Sequence, residues 1–123
     1  MSELRVTFTR DQIAAYAEAS GDRNPIHLDG GFAQSAGLPG VIVHGMLLMG
    51  MAARVAGEAA GGPDRLRKLS CRFAAMVRPG DTVTFRADKS DGRIDITATN
   101  QEGEQVLTKS SAEFVIPSEM PRS

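Results

Sequence analysis

Leu4, Val6 and Phe8 alternate with Arg5, Thr7 and Thr9, a period of two that predicts a half-buried strand. Thr9 with Gln12 three residues on fits a capping box. A helix is predicted from about Arg10 to Ala19, burying Ile13, Tyr16 and Ala17, with Gly21 placed to end it in a left-handed conformation. Asp29 to Gln34 reads as a short helical turn with Asp29 as its cap. Gly37 and Pro39 break it, and Val41-Ile42-Val43 follows as a buried extended lead-in. The longest helix is predicted from about Gly45 to Glu58 and is apolar nearly all round, as expected of a central, buried element. Met46, Gly50, Ala53 and Gly57 share one of its faces, where small residues would let another element come close.

Beyond Gly62 the pattern is all strand. Leu69, Cys71, Phe73, Ala75 and Val77 alternate until Pro79-Gly80-Asp81 turns the chain. Val83, Phe85 and Ala87 lead to Ser90-Asp91-Gly92; Ile94, Ile96 and Ala98 lead to a turn over Asn100 to Gly103; Val106 to Ile116 makes a long last strand. One strand before the long helix and four after it predict an α+β fold, an antiparallel sheet of about five strands wrapped around one buried helix. Its edge strands would be left for a second copy to cover. The 123 residues fit one domain, with 117–123 expected to be a loose tail.

Lys+Arg 14 against Asp+Glu 15 lacks the basic excess that non-specific nucleic-acid binding needs. Aromatic residues at 5% with no Trp make a poor base-stacking platform. The single cysteine, Cys71, cannot form an internal disulfide and falls on the apolar side of its strand, so it reads as packing. With no apolar leader and no long apolar span, the expectation is a soluble cytoplasmic protein.

The chemistry is concentrated in Asp22-Arg23-Asn24-Pro25-Ile26-His27-Leu28-Asp29. The second of the two histidines follows in His44-Gly45-Met46. Taken alone, Asp-x-Asn-Pro is ordinarily an Asx or type I turn, and a histidine beside an apolar helix is ordinarily a satisfied core residue. The combination argues for more. Pro25 fixes its own φ and forces Asn24 to be extended, so Asp22 and His27 sit on a stiff loop able to address one water molecule. Gly45 adds a backbone N–H in the first turn of a buried helix, where donors lack intrahelical partners and the dipole favours negative charge. A water activator beside an oxyanion donor is equipment for adding water to, or removing it from, a polarised carbonyl compound. Two histidines without i, i+4 spacing make a poor metal set, and no metal is expected.

Tyr16-Ala17, Ser20 to Asp29, Phe32-Ala33 and Val43 to Leu47, with a weaker match at Arg72-Phe73 and Val77 to Asp81, closely resemble the MaoC-like (R)-specific enoyl-CoA hydratases. The resemblance implies a hotdog fold. It also implies hydration of trans-2-enoyl thioesters or dehydration of (R)-3-hydroxyacyl thioesters. Asp22 and His27 would be the acid–base pair, with base and acid left open because coupled groups share their protons. Gly45 would donate to the thioester oxygen, Asn24 and Pro25 would shape the loop, and His44 and Met46 would support the site or touch substrate. No cofactor is implied beyond the coenzyme A or phosphopantetheine that is part of the substrate. The implied partners are a second copy of the chain and an acyl carrier protein. Met76 stands where the family often has proline, and the helix ends in Ala59-Ala60-Gly61-Gly62, which leaves chain-length preference open. Arg65, Arg67, Lys68 and Arg72 could meet phosphates, although a solvated strand face is the simpler reading. The alternatives are a thioester-binding subunit of a heteromeric dehydratase and a hotdog thioesterase. The second is disfavoured because Glu58 is the long helix's only acid.

Overall fold

Thr9 Oγ1 accepts from the Gln12 N–H at 3.1 Å, and Gln12 Oε1 accepts from the Thr9 N–H at 3.4 Å. The capping box thus forms and starts the first helix where the sequence places it. The computed structural model describes residues 1–115. In chain order they form β1 (Ser2–Thr7), α1 (Arg10–Ser20), a 3-10 turn (Pro25–His27), α2 (Gly30–Ser35) and α3 (Gly45–Ala60). A second 3-10 turn (Pro63–Arg65) leads to β2 (Leu66–Phe73), β3 (Thr82–Ser90), β4 (Arg93–Thr99) and β5 (Gln105–Phe114). The strands make one antiparallel sheet in the order β1-β3-β4-β5-β2. Ile116, at the expected end of the last strand, and the expected loose tail 117–123 lie outside the described residues.

The period-two pattern decides which sheet face is apolar. Val83, Phe85 and Ala87 of β3 and Ile94, Ile96 and Ala98 of β4 are all buried. They pack with Leu48, Ala52, Val55 and Ala56 of α3 in one core. α3 touches β1, β2, β3 and β4, so the sheet presents its apolar face to a single helix. That burial is the main source of stability, at about 25 cal/mol per Å² of apolar surface removed from water.

Two expectations need correction. The strand predicted to run through Val77 ends at Phe73. Ala74 still donates to Val106 O, but Val77 then turns its carbonyl to the Val43 N–H at 2.8 Å. Val77 is buried by the lead-in to α3, not by β5, and apolar alternation cannot tell these covers apart. Nor is α3 enclosed all round. Met46, Gly50 and Arg54 are exposed, and a Cβ at Gly50 would meet nothing. Of the two glycines in the stripe from Met46 to Gly57, only Gly57 is closely approached, a Cβ there falling 3.2 Å from Pro63 Cα. The apolar character of a helix does not say which element covers it, and within one chain nothing described covers this face.

Candidate active site

Gly21 ends α1 in the left-handed region (φ 81°, ψ −2°) and returns its N–H to Ala17 O at 3.0 Å. The chain therefore leaves the helix abruptly, with Asp22 just past its end. Asp22 Oδ1 accepts from the Asn24 N–H at 3.3 Å, and Asn24 Oδ1 accepts from the Ile26 N–H at 3.2 Å. Pro25 opens the 3-10 turn, and His27 N–H closes it on Asn24 O. The ordinary reading of this motif as successive Asx turns is therefore correct as far as it goes. The turn uses only one carboxylate oxygen of Asp22. The other, Oδ2, faces His27 Nε2 at 4.0 Å.

His27 is held on its far side. Ile42 donates its N–H to Ile26 O at 3.2 Å, which lays the helix lead-in along the loop. The Ile42 carbonyl then receives the His27 Nδ1–H at 2.7 Å. A carbonyl oxygen only accepts, so Nδ1 carries the hydrogen and Nε2 of the neutral ring is a bare acceptor. His27 is 8% exposed, while the Asp22 side chain is 53% exposed. The pair is thus a fixed imidazole beneath a carboxylate that opens to solvent. Sequence reasoning missed Ile42, because a backbone acceptor carries no side-chain signature.

His44 lies against the pair and does not face outward. Its ring stacks on His27 (centroids 3.8 Å, 22°) and tilts against Tyr16 (4.8 Å, 59°). His44 Nε2–H donates to the Asp22 carbonyl at 2.9 Å, tying the head of α3 to the loop. Its Nδ1 is buried without a partner among the described residues. An orphaned buried acceptor costs about 1–3 kcal/mol, and the stack and the Asp22 bond offset that cost. His44 precedes α3 at φ −60°, ψ 134°, leaving Gly45 as the first helical residue. Among the described residues the Gly45 N–H meets no acceptor, and it stands at the positive end of a 16-residue helix. A Cβ there would touch the Phe73 ring at 3.4 Å. Phe73 and the neighbouring Met46 are both exposed, so Gly45 is flanked by apolar surface.

Asp22, His27 and His44 each bring one ligand-type atom within 4.8 Å of the others, a grouping that could suit a cation. The rings oppose it. A metal must lie in each imidazole plane at about 2.0–2.1 Å from nitrogen, and planes stacked face to face at 22° do not share such a point. The remaining candidates do other work. Arg65 Nη1 donates to Ala60 O at 3.3 Å and closes the end of α3, while Arg67, Lys68 and Arg72 are exposed on β2. Burial pushes the Cys71 thiol up, against a smaller lowering by its hydrogen bond with Ser110, which is the opposite of an activated nucleophile.

Residues 1–112 match the family model described as "MaoC like domain". The chain belongs to this family. The MaoC-like domain is 33% identical over 115 residues to peroxisomal multifunctional enzyme type 2 of Mus musculus, a match covering 91% of this chain and 16% of that protein. It is 44% identical over 75 residues to fatty acid synthase subunit beta of Aspergillus oryzae, covering 59% of this chain and 4% of that one. It therefore spans a small part of these curated relatives. Among solved structures it resembles the (R)-hydratase from A. caviae involved in PHA biosynthesis, with a TM-score of 0.78 and 30% identity, covering 94% of this chain and 93% of that one. The fold of the MaoC-like domain is the hotdog, as the sequence resemblance implied.

Proposed function

We propose that this MaoC-like domain adds water to trans-2-enoyl thioesters and, in reverse, dehydrates (R)-3-hydroxyacyl thioesters. The observation that carries the reading is the His27 Nε2–Asp22 Oδ2 separation of 4.0 Å, with Nδ1 committed to Ile42. Two acceptors so spaced are too far apart to bond directly, yet one water with legs of about 2.8 Å can donate to both. As the water oxygen bonds to C3, the pair takes one of its protons. The π electrons move to C2 and on to the thioester oxygen, where the Gly45 N–H meets the developing charge. The pair then returns a proton to C2, so that one water is added and nothing else is consumed. Asn24 and Pro25 hold the loop, His44 braces it from below, and Met46 borders the acyl path. Coenzyme A or phosphopantetheine enters only as part of the substrate. A carrier protein and a second copy of the chain are the proposed partners, the second copy covering α3's open face and the apolar surface beside Gly45. The proposed compartment is the cytoplasm. Among the described residues no helix is long and apolar enough to cross a membrane.

Hydrolysis of the thioester is not expected. Glu58, the only acid on α3, stands thirteen residues beyond Gly45, about 20 Å along the helix. The test is to incubate the purified chain with trans-2-enoyl-CoA esters of graded length and to resolve the products. (R)-3-hydroxyacyl-CoA without free thiol is the expected result; free thiol, or the (S) product, counts against the proposal.

Gly45→Pro isolates the oxyanion donor. Proline is well accepted at the first helical position, and His44 already holds the extended φ and ψ that a following proline requires. The N–H is removed while the helix start is kept. Turnover should fall by about 100-fold or more with the chain still folded by circular dichroism, and an unchanged kcat removes Gly45 from the mechanism.

A further inference from the structure

Away from the Asp22–His27 pair, a cleft of about 300 Å³ is lined by Arg10, Gly30, Gln34, Gly40, Arg78 and Pro79, among others. The two arginines among its lining residues come from distant parts of the chain, and hydrogen bonds between backbone groups bring those parts together. Phe8 N–H donates to Asp81 O at 3.0 Å and Gly80 N–H donates to Phe8 O at 2.7 Å. These fasten the Arg78–Asp81 turn two residues before Arg10. Val43 N–H on Val77 O lays the Gly40–Val41 segment along the same turn. The Arg10 guanidinium folds over the loop, with Nη2 3.6 Å from the point a Gly30 Cβ would occupy.

Neither arginine is neutralised by the protein. Among the described residues neither lies within ion-pair distance of a carboxylate. Asp11 adjoins Arg10 in the chain without pairing with it, Glu104 lines a neighbouring cleft with Arg78 and accepts from Asn100 Nδ2 at 3.1 Å, and two further acids are committed elsewhere. Asp29 Oδ1 accepts from the Phe32 N–H, and Asp81 accepts from the Arg78 backbone N–H and from Gln101. Like charges facing one cleft repel, and an anion between them turns that repulsion into attraction. A planar guanidinium fork suits the oxygens of a phosphate group, and Gln34 offers a further donor.

We propose that Arg10 and Arg78 form a phosphate-ester site that holds the carrier arm of the thioester, a deepening that rests on the function proposed above. The cleft and the reacting pair are built from the same segments. Val41 adjoins Ile42, whose carbonyl holds His27, and Gly30 follows His27 by three residues. A phosphate gripped here places the arm beside the loop that carries the proton-transfer pair. Arg67 and Lys68, on the outer part of β2, take no part.

The test uses the full chain and does not depend on turnover. Coenzyme A and inorganic pyrophosphate are titrated by calorimetry into wild type, into Arg10→Gln/Arg78→Gln, and into the charge-matched control Arg67→Gln/Lys68→Gln. Wild type and the control should bind coenzyme A alike, and the Arg10/Arg78 variant should bind it roughly tenfold or more weakly. Equal binding by all three, loss in the control instead, or no binding by wild type overturns the site, whether or not the chain turns over a thioester. Kinetics then separate the phosphate sources. KM should rise in the Arg10/Arg78 variant for enoyl-CoA and enoyl-phosphopantetheine alike if the arm's own phosphate is held, and for enoyl-CoA alone if the nucleotide end is held. In both cases kcat for an enoyl N-acetylcysteamine thioester, which has no phosphate, should stay at the wild-type value; an equal kcat loss on that substrate overturns the proposal.

Discussion

Asp22→Asn is expected to lower kcat by about 10²- to 10⁴-fold while leaving stability within about 0.5 kcal/mol of wild type. The asymmetry follows from how the carboxylate is used. Oδ1 serves the turn by accepting from the Asn24 N–H, and an amide oxygen can do the same. The backbone carbonyl that receives His44 Nε2–H is untouched. What changes is the group facing His27 Nε2. An amide nitrogen there is a donor and not an acceptor, so it cannot take a hydrogen from the water shared with the imidazole, and it has no carboxyl proton to return. Steady-state kinetics with a thermal melt check both halves, and near-full turnover would remove Asp22 from the reaction.

His27→Asn should lose a similar 10²- to 10⁴-fold in kcat, for the opposite reason. The asparagine amide can take over the Nδ1–H donation to Ile42 O, so the anchor survives while the Nε2 acceptor disappears. His27→Ala removes both. It leaves the Ile42 carbonyl without its partner at 2.7 Å and strips His44 of its stacking surface, so it should be less stable than His27→Asn by about 1 kcal/mol or more. Equal stabilities for the two variants would mean that the Ile42 bond contributes nothing. A His27→Asn protein that keeps wild-type turnover would show that Nε2 handles no proton.

Much of this was legible in the chain because it is local chemistry. Thr9 with Gln12, Gly21 after a helix, and Asn24-Pro25 each act within a few residues, and period-two alternation in β3 and β4 names the buried face directly. The parts that were not legible depend on groups far apart in sequence. Ile42 orients His27 through a carbonyl, a group every residue has. His44 was assigned a supporting place, but its stack on His27 needs the head of α3 to dock on the loop after α1. Val77 looked like a strand residue because burial beneath residues 41–43 leaves the same apolar mark as burial in a sheet. The small residues of the stripe from Met46 to Gly57 were read as letting another element come close, which holds at Gly57 beside Pro63 but not at Gly50, where a Cβ would meet nothing. Arg78 lies in the Val77–Asp81 segment and Arg10 in the first turn after Thr9, but nothing in either local pattern links the two. They line one cleft because the Arg78–Asp81 turn is fastened to Phe8.

Asp22→Asn and His27→Asn, measured singly and together, test the central claim most directly, since two groups that serve one water form one unit. In that case removing the second after the first costs little, and kcat/KM of the double variant should lie within about threefold of the slower single variant. Losses that multiply would mean that the two side chains act independently, on different atoms or in different steps, and would contradict the shared-water account.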